Sequence, residues 1–273
     1  MLRLNFESAP SRRELARDEA MLQWADSVAA SEHSESEHAG AKPEVADPRA
    51  PSATELFRVW RFGEPTVILG RSSRINEEVD RQWCAERQID VLRRCTGGAS
   101  VVGGPGCLMY SVVVRVPADG GLRKIDVAHD YVMQRVLAAV QTQLPDADRA
   151  GTCDLIWNTR KFSGNSLRVA RHHLLYHGTL LLDADLDLIA ECLAFAPRQP
   201  EYRRGRDHRD FICNVGLDEP SLVDSLARQF GVDGWSSIGG SGEEDTTVAE
   251  KIEAIADELM RTRYSDPGWH ERR

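Results

Sequence analysis

The sequence lacks any apolar run long enough to cross a membrane. Its longest apolar stretches, such as Leu108 to Val114, are far shorter than the ~20 residues that a spanning helix needs. The start of the chain, with Arg3, Asn5 and Glu7, also lacks the apolar core of a signal peptide. These absences predict a soluble cytoplasmic protein without a membrane partner.

The cysteines are few and scattered. Six are present and none forms a CxxC pair: Cys84, Cys95, Cys107, Cys153, Cys192 and Cys213. This spacing does not indicate a disulfide framework, so we expect reduced thiols. His172 and His173 are adjacent, and a regular strand would point their rings to opposite faces, so we expect no tightly bound metal.

An excess of basic charge is missing as well. Lys and Arg number 34 against 43 Asp and Glu, a formal net charge of −9. Such a balance argues against a protein that holds nucleic acid. The length of 273 residues suits one large domain, and a hydrophobic fraction of 41% is typical of a globular protein.

Composition divides the chain into four parts. Residues 1–30 end in an amphipathic helical pattern from Ser11 to Ala30, and residues 31–54 are so polar that we predict a disordered insert. Residues 55–217 form the main domain, and residues 218–273 a helical C-terminal extension with a glycine-rich linker at Ser236 to Gly242.

The main domain alternates short β-rich runs with helical patterns. Strands are predicted at Leu56 to Phe62, Thr66 to Leu69, Asp90 to Arg93, Leu108 to Val116, Leu155 to Trp157, Leu167 to Ala170, Leu174 to His177 and Thr179 to Leu182. Helices are predicted at Glu77 to Arg87, Ala128 to Leu144, Asp185 to Phe195, Ser221 to Phe230 and Thr247 to Arg263. Strands in two blocks with hairpin-sized gaps favour an α+β fold over a doubly wound parallel sheet.

Two segments have the composition of an anion site. The first runs from Arg93 to Ser100, where consecutive glycines follow two arginines, and backbone N–H groups there can converge on a phosphate or carboxylate. The second runs from Asn158 to Ser166, inside a stretch without acidic residues between Asp154 and Asp183. The alternatives are a glycine-rich loop that only turns a corner and an exposed hairpin with a few basic residues.

The motifs in their order resemble the lipoate-protein ligase A and octanoyltransferase family of the biotin/lipoate ligase superfamily. They are Asp18-Glu19-Ala20, Glu64-Pro65-Thr66-Val67-Ile68-Leu69-Gly70-Arg71, Arg93-Arg94-Cys95-Thr96-Gly97-Gly98, Arg160-Lys161-Phe162-Ser163-Gly164 and His177-Gly178-Thr179-Leu180-Leu181. The resemblance covers about residues 11–30 and 55–215. It implies a catalytic domain of the biotin/lipoate ligase type, with mixed and antiparallel sheets flanked by helices and no full C-terminal accessory domain.

The resemblance also implies roles for single residues. Lys161 matches the catalytic lysine, which contacts acyl and phosphate oxygens, and Asp154 matches an acidic position that helps to hold Mg²⁺. The remaining matched positions imply contacts with an acyl-adenylate: Arg94, Thr96, Gly97, Gly98, Ala99, Ser163, Gly164, Asn165, His177, Gly178 and Thr179. Two positions depart from the family pattern, because Ala99 replaces its third glycine and Gly103 its histidine.

Three functions are compatible with these residues. The first is ATP-dependent lipoylation, in which ATP, Mg²⁺ and lipoate or octanoate are substrates. The second is transfer of an acyl group from acyl carrier protein or a lipoylated protein, with Cys153 as the candidate nucleophile. The third is a non-catalytic subunit that binds lipoate and needs a separate accessory subunit. Under either enzymatic hypothesis the resemblance implies a lipoyl-domain acceptor, of the 2-oxoacid dehydrogenase E2 or glycine cleavage H protein type.

Overall fold

A computed structural model describes residues 1–38, 53–117, 120–194, 199–232 and 243–272. The glycine-rich linker predicted at Ser236 to Gly242 lies outside the described residues, as does most of the predicted insert. Within the described parts, no helix combines the length and the apolar composition of a membrane span.

In the described ranges, ten strands form two sheets. They are β1 Leu2–Arg3, β2 Leu56–Trp60, β3 Thr66–Leu69, β4 Asp90–Arg93, β5 Val101–Gly103, β6 Cys107–Arg115, β7 Asp148–Ala150, β8 Asp154–Trp157, β9 Arg160–Val169 and β10 His173–Leu181. The larger sheet has the order β1-β2-β6-β10-β9-β8-β7 and is antiparallel except for its β1–β2 pair. The smaller sheet, β4-β3-β5, is mixed, because β3 is parallel to β4 and antiparallel to β5.

Nine α-helices surround these sheets in the described chain. They are α1 Ser11–His38, α2 Ile75–Glu78, α3 Arg81–Glu86, α4 Ile125–Gln141, α5 Leu186–Cys192, α6 His208–Phe211, α7 Glu219–Gln229, α8 Glu243–Leu259 and α9 Pro267–Glu271. Two 3₁₀ turns, Gly121–Arg123 and Glu201–Arg203, and a π-helical turn, Met260–Tyr264, complete the list. Aspartates cap five of these helices by accepting a backbone N–H of the first turn: Asp80, Asp185, Asp207, Asp218 and Asp266.

The larger sheet is buried on both faces. Alternate residues of β6, such as Tyr110 and Val112, pack with α4 and α7 on one face, while Met109 and Val113 pack with α1 and α8 on the other. A third core lies between the smaller sheet and helices α3, α5 and α6. The predicted α+β class with mixed and antiparallel sheets is therefore confirmed.

Several predicted bounds are wrong. The first helix continues to His38 instead of ending at Ala30, because a helix that is already nucleated propagates through Glu and Ser at little cost. Thr54, assigned to the insert, is buried and its hydroxyl lies 2.9 Å from Nε2 of His173. β10 is one strand rather than two. Gly178 does not interrupt it, because the side chains of Asn165 and Tyr110 fill the space that a side chain at position 178 would take.

We expect His173 to make stability depend on pH. Its ring is fully buried and burial lowers its pKa to about 4, whereas an unfolded histidine titrates near ~6.5. Between these values the unfolded chain binds the proton and the folded chain does not, so stability falls as pH falls through this window. Between pH ~7 and ~5 the free energy of unfolding should therefore fall by about 2 kcal/mol less in His173→Gln than in the wild type, as measured by urea unfolding. An unchanged slope would contradict this assignment.

Candidate active site

The candidate site is built on the β8–β9 hairpin, which positions Lys161. Asn158 and Thr159 form its two-residue turn with φ of 49° and 65°, a left-handed pair that matches the twist of a β-hairpin. A register shift follows on β8, at Leu155 and Ile156. The carbonyl of Lys161 accepts the backbone N–H of Cys213 at 2.9 Å, so the segment around Cys213 also fixes the start of β9.

Lys161 is held in place by Asp154 across the hairpin. Its Nζ lies 2.6 Å from Oδ1 of Asp154, and the two side chains are 24% and 12% exposed. The other carboxylate oxygen accepts the hydroxyl of Tyr202 at 2.7 Å, and burial together with Asp154 raises the pKa of that tyrosine. A Cβ at Gly164 would stand 3.0 Å from Nζ, so glycine leaves room for the lysine to fold over β9. The ammonium is thus presented at a defined place.

The glycine-rich loop between β4 and β5 is shaped by Arg94. Its guanidinium donates to the carbonyls of Ile68 at 3.1 Å, Ala99 at 3.0 Å and Gly97, and its Nε donates to Thr96 Oγ1 at 3.0 Å. Burial lowers the pKa of this arginine to about 10. At neutral pH it remains a cation whose donors are directed to the loop itself.

Arg93 is turned away from the loop. It is buried and donates to the carbonyls of Gly70, Ser73 and His270 at 2.8, 2.8 and 3.0 Å, which joins α9 to the segment after β3. The two consecutive arginines therefore do not form an exposed cationic surface. A buried guanidinium keeps its charge only where carbonyls or carboxylates take its hydrogen bonds, and both arginines meet that need inside the fold.

His177 ties the loop to the sheet and to α1. The hydroxyl of Thr96 accepts from Nε of Arg94 and lies 2.7 Å from Nε2 of His177. The protonated Nδ1 then donates to Oδ2 of Asp18 at 2.6 Å. Burial raises the pKa of Asp18, but Arg58 and His177 outweigh it and the net pKa is lowered. This fully bonded chain fixes one ring orientation behind the cavity.

Glu78 of α2 holds the other half of the loop. One carboxylate oxygen accepts the backbone N–H and the hydroxyl of Ser100 at 2.8 and 2.7 Å, and also the hydroxyl of Ser73 at 3.0 Å. The loop therefore has anchors on both sides, Arg94 before its turn and Glu78 after it. Side chains of the surrounding fold thus hold the loop backbone at both ends, which is what an anion cradle requires.

Hairpin, loop and β10 enclose a cavity with two lobes. The lobes share the loop residues Ala99 to Val101 together with Asp154, Lys161, Gly164 and Thr179. The Trp60 lobe, about 380 Å³, ends in apolar side chains: Leu15, Trp60, Phe62, Ile68 and Met109. The Phe211 lobe, about 140 Å³, is lined by Phe211, Leu181, Ile189, Leu193, Ile212, Glu78, Arg203 and His208. Lys161 stands where the lobes meet.

Most residues that the sequence singled out line this cavity. They are Arg94, Gly98, Ala99, Cys153, Asp154, Lys161, Ser163, Gly164, Asn165, His177, Gly178 and Thr179. β9 and β10 pair Ser166 with His177. The glycine-rich loop meets both strands, because Thr96 lies 2.7 Å from Nε2 of His177 and the carbonyl of Gly97 accepts the hydroxyl of Ser166. Thr96 and Gly97 stand behind the wall instead, where they bond to His177 and to Arg94 and Ser166.

Sequence reasoning missed the residues that shape both lobes. Glu78 lies on a short helix without any motif, and the lining of the Phe211 lobe comes from α5 and α6, far along the chain. Trp60, Phe62 and Met109 also line the cavity, but the sequence pattern does not distinguish them from other apolar residues of predicted strands. The position of Asp18 was one indication of a buried ion pair, because an acidic side chain in the apolar face of a predicted helix needs a buried partner.

Cys153 does not have the surroundings of an activated thiol. Cys153 lines the Trp60 lobe, and its Sγ donates to the carbonyl of Asn165 at 3.0 Å. Burial and the neighbouring Asp154 raise its pKa in spite of Lys161. A thiolate is the nucleophilic form, so these features disfavour a thioester route through this residue.

The described residues contain no group of three or more His, Cys, Asp or Glu that would hold a metal ion. Asp154 has both carboxylate oxygens engaged, by Lys161 and by Tyr202. Its observed contacts fit a residue that positions Lys161, and its role as a Mg²⁺ ligand remains a prediction.

The chain belongs to the lipoyl protein ligase A/B catalytic domain family, whose sequence profile matches residues 44–233. It is 26% identical over 180 residues to lipoate-protein ligase 1 of Staphylococcus aureus, covering 64% of this chain and 53% of that protein. It is 23% identical to octanoyltransferase LipM of Geobacillus kaustophilus, covering 97% and 95% of the two chains. The chain thus spans about half the length of the S. aureus ligase, and named relatives include enzymes of both kinds.

Solved structures share the fold. A bi-partite lipoate protein ligase of Thermoplasma acidophilum, studied with its E2 lipoyl domain, superposes with a TM-score of 0.72 at 21% identity, covering 99% of this chain and 95% of that one. A lipoate-protein ligase A bound with ATP gives 0.69 at 20% identity, covering 99% and 98%. The lipoate ligase type of catalytic fold is therefore confirmed.

Proposed function

We propose that this protein attaches a lipoyl or octanoyl group to a lysine of a lipoyl-domain protein, through an acyl-adenylate made from ATP and the free acid. The observation that carries the proposal is the position of Lys161 where the two lobes meet: the Trp60 lobe ends in apolar side chains, and the Phe211 lobe adds Arg203 and His208 to an aromatic ring. A molecule with an acyl chain on one side and a nucleotide on the other needs this division. Its anionic junction would lie at the ammonium.

The first half-reaction follows from that placement. The acyl chain enters the Trp60 lobe, and a carboxylate oxygen attacks the α-phosphorus of ATP in the Phe211 lobe. The new bond joins oxygen to phosphorus, the bond to the bridging oxygen breaks, and pyrophosphate leaves with its electron pair. Lys161 stabilises the charge on the oxygens around phosphorus, and the backbone of the loop supplies further donors.

In the second half-reaction the acceptor lysine attacks the acyl carbon as a neutral amine. The bond between carbon and nitrogen forms, the bond from carbon to the phosphate oxygen breaks, and AMP leaves while the amine gives up its proton. Lys161 again lies beside the oxygen that gains charge, because the reacting carbonyl is at the junction of the lobes. Enclosure of the adenylate by the loop limits its hydrolysis.

The site favours this ligase route over acyl transfer from a thioester. Transfer through an enzyme thioester requires a thiolate, and Cys153 is a hydrogen-bonded thiol with a raised pKa. The remaining five cysteines are buried and do not line the cavity. Acyl transfer remains the second candidate, since octanoyltransferases are among the relatives.

A lipoyl domain is the acceptor that we propose, because a structural relative was studied with its E2 lipoyl domain. A separate accessory subunit is a further possible requirement, since that relative is bi-partite. We propose the cytoplasm as the place of reaction.

Cys153→Ser should leave acylation of the acceptor close to the wild-type rate. Serine keeps a donor for the Asn165 carbonyl and loses only the sulfur nucleophile. The measurement is the rate at which a lipoyl domain gains mass, with ATP and octanoate as donors in one arm and octanoyl acyl carrier protein in the other. Loss of activity in the variant, or activity in the thioester arm alone, would favour the transferase.

A further inference from the structure

Gly103 occupies the position where the family resemblance implies a histidine. It is the last residue of β5 and pairs with Thr66 of β3. A Cβ at Gly103 would overlap two atoms of the Phe62 ring and crowd a third, so no side chain fits there while the ring keeps its place. The ring of Phe62 thus occupies the volume that a histidine at position 103 would need.

Phe62 also stands between two cavities. With Trp60 it lines the apolar end of the Trp60 lobe, and the same two side chains line a further cavity of about 490 Å³, here called the Phe6 cavity. The two rings pack edge to face, with centroids 4.6 Å apart at 69°. This aromatic pair is the partition between the two spaces.

The two halves of the partition are fixed differently. Trp60 donates its indole N–H to Ser111 at 3.0 Å, and the guanidinium of Arg58 lies 4.7 Å from its ring centroid. Phe62 has no polar atom and is positioned by packing, on Trp60 and on the bare backbone of Gly103. Phe62 is therefore the half whose truncation would open the wall.

We propose that Phe62, seated on Gly103, closes the apolar end of the Trp60 lobe and sets the longest acyl chain that the protein accepts. This inference rests on the proposed function, which places the acyl chain in that lobe. Truncating the ring would join the lobe to the Phe6 cavity and give longer chains room. In contrast, a side chain at position 103 would displace the ring.

The test compares octanoate, dodecanoate and hexadecanoate as acids for ATP-dependent adenylation by the full chain. In Phe62→Ala we expect kcat/KM for hexadecanoate relative to octanoate to rise by about tenfold or more. One methylene that fits an apolar pocket already changes kcat/KM by about this factor. Titration calorimetry with the same acids, without ATP, should show the same shift in affinity. Phe62→Leu, a smaller truncation that is easier to fold, should shift the preference towards dodecanoate.

Phe6→Ala is the matched control, because Phe6 lines the Phe6 cavity without lining the Trp60 lobe. It should keep the wild-type chain-length profile. Wild-type activity on octanoate with an unchanged profile in both Phe62 variants would overturn this inference and leave the proposed function intact. Failure of the wild-type chain to bind or adenylate any of the acids would overturn both.

Discussion

Lys161→Ala should lower the rate of acyl-adenylate formation by about a hundredfold to a thousandfold, the usual effect of removing one donor that stabilises transition-state charge. Lys161 is the cation at the junction of the lobes and lies 2.6 Å from Asp154, so its removal also leaves a carboxylate beside the phosphate. Both effects raise the barrier. The measurement is single-turnover formation of acyl-AMP from ATP and octanoate.

Lys124→Ala is the control for this prediction. Lys124 is exposed, precedes α4 and does not line either lobe, so its loss should leave the rate unchanged. Lys161→Arg should also lose most of the rate, because a planar guanidinium does not present its charge at the point where the ammonium lies over Gly164. A Lys161→Ala variant with wild-type turnover would show that the reaction occurs elsewhere.

Arg58→Met should destabilise the fold by about 3–5 kcal/mol, the cost of breaking a buried ion pair on one side. Arg58 is buried and bonds to both Asp18, at 2.6 and 2.9 Å, and Glu14, at 2.9 Å. Its loss leaves Asp18 with His177 as its remaining strong partner. Urea unfolding at neutral pH measures the change.

The difference in unfolding free energy between the wild type and Arg58→Met should become smaller as the pH is lowered. In the wild type, Arg58 keeps the pKa of Asp18 below its ordinary value against the effect of burial. Without the guanidinium, burial raises that pKa, and the carboxyl can then take up a proton and lose its unpaired charge. Arg74→Met, at an exposed pair with Glu77, should change stability by less than about 0.5 kcal/mol. Equal effects of the two substitutions would contradict the buried network.

The proposed catalytic lysine and its surroundings were predictable from the sequence because they are local. Lys161, Ser163 and Gly164 are neighbours on one strand, and a basic residue among small ones already indicates an anion site. The loop from Arg94 to Gly98 was predictable for the same reason, since its glycines are consecutive. Pairing of β9 with β10 then brings His177 to the same place.

Long-range partners were not predictable in this way. Arg93 bonds to carbonyls about 177 positions along the chain, and His177 to a carboxylate 159 positions away, and no periodicity signals such contacts. The sequence pattern therefore identified Arg93 as basic but not as buried. Likewise, the fit of Phe62 onto Gly103 depends on how β2, β3 and β5 approach each other, which is a property of packing.

The most direct test of the proposed function is exchange of labelled pyrophosphate into ATP in the absence of any acceptor protein. We predict exchange that requires both ATP and lipoate or octanoate, is retained in Cys153→Ser and is lost in Lys161→Ala. This result would demonstrate an acyl-adenylate that forms at Lys161 without a protein nucleophile. Absence of exchange at saturating acid, with acyl transfer from a carrier-protein thioester, would contradict the account.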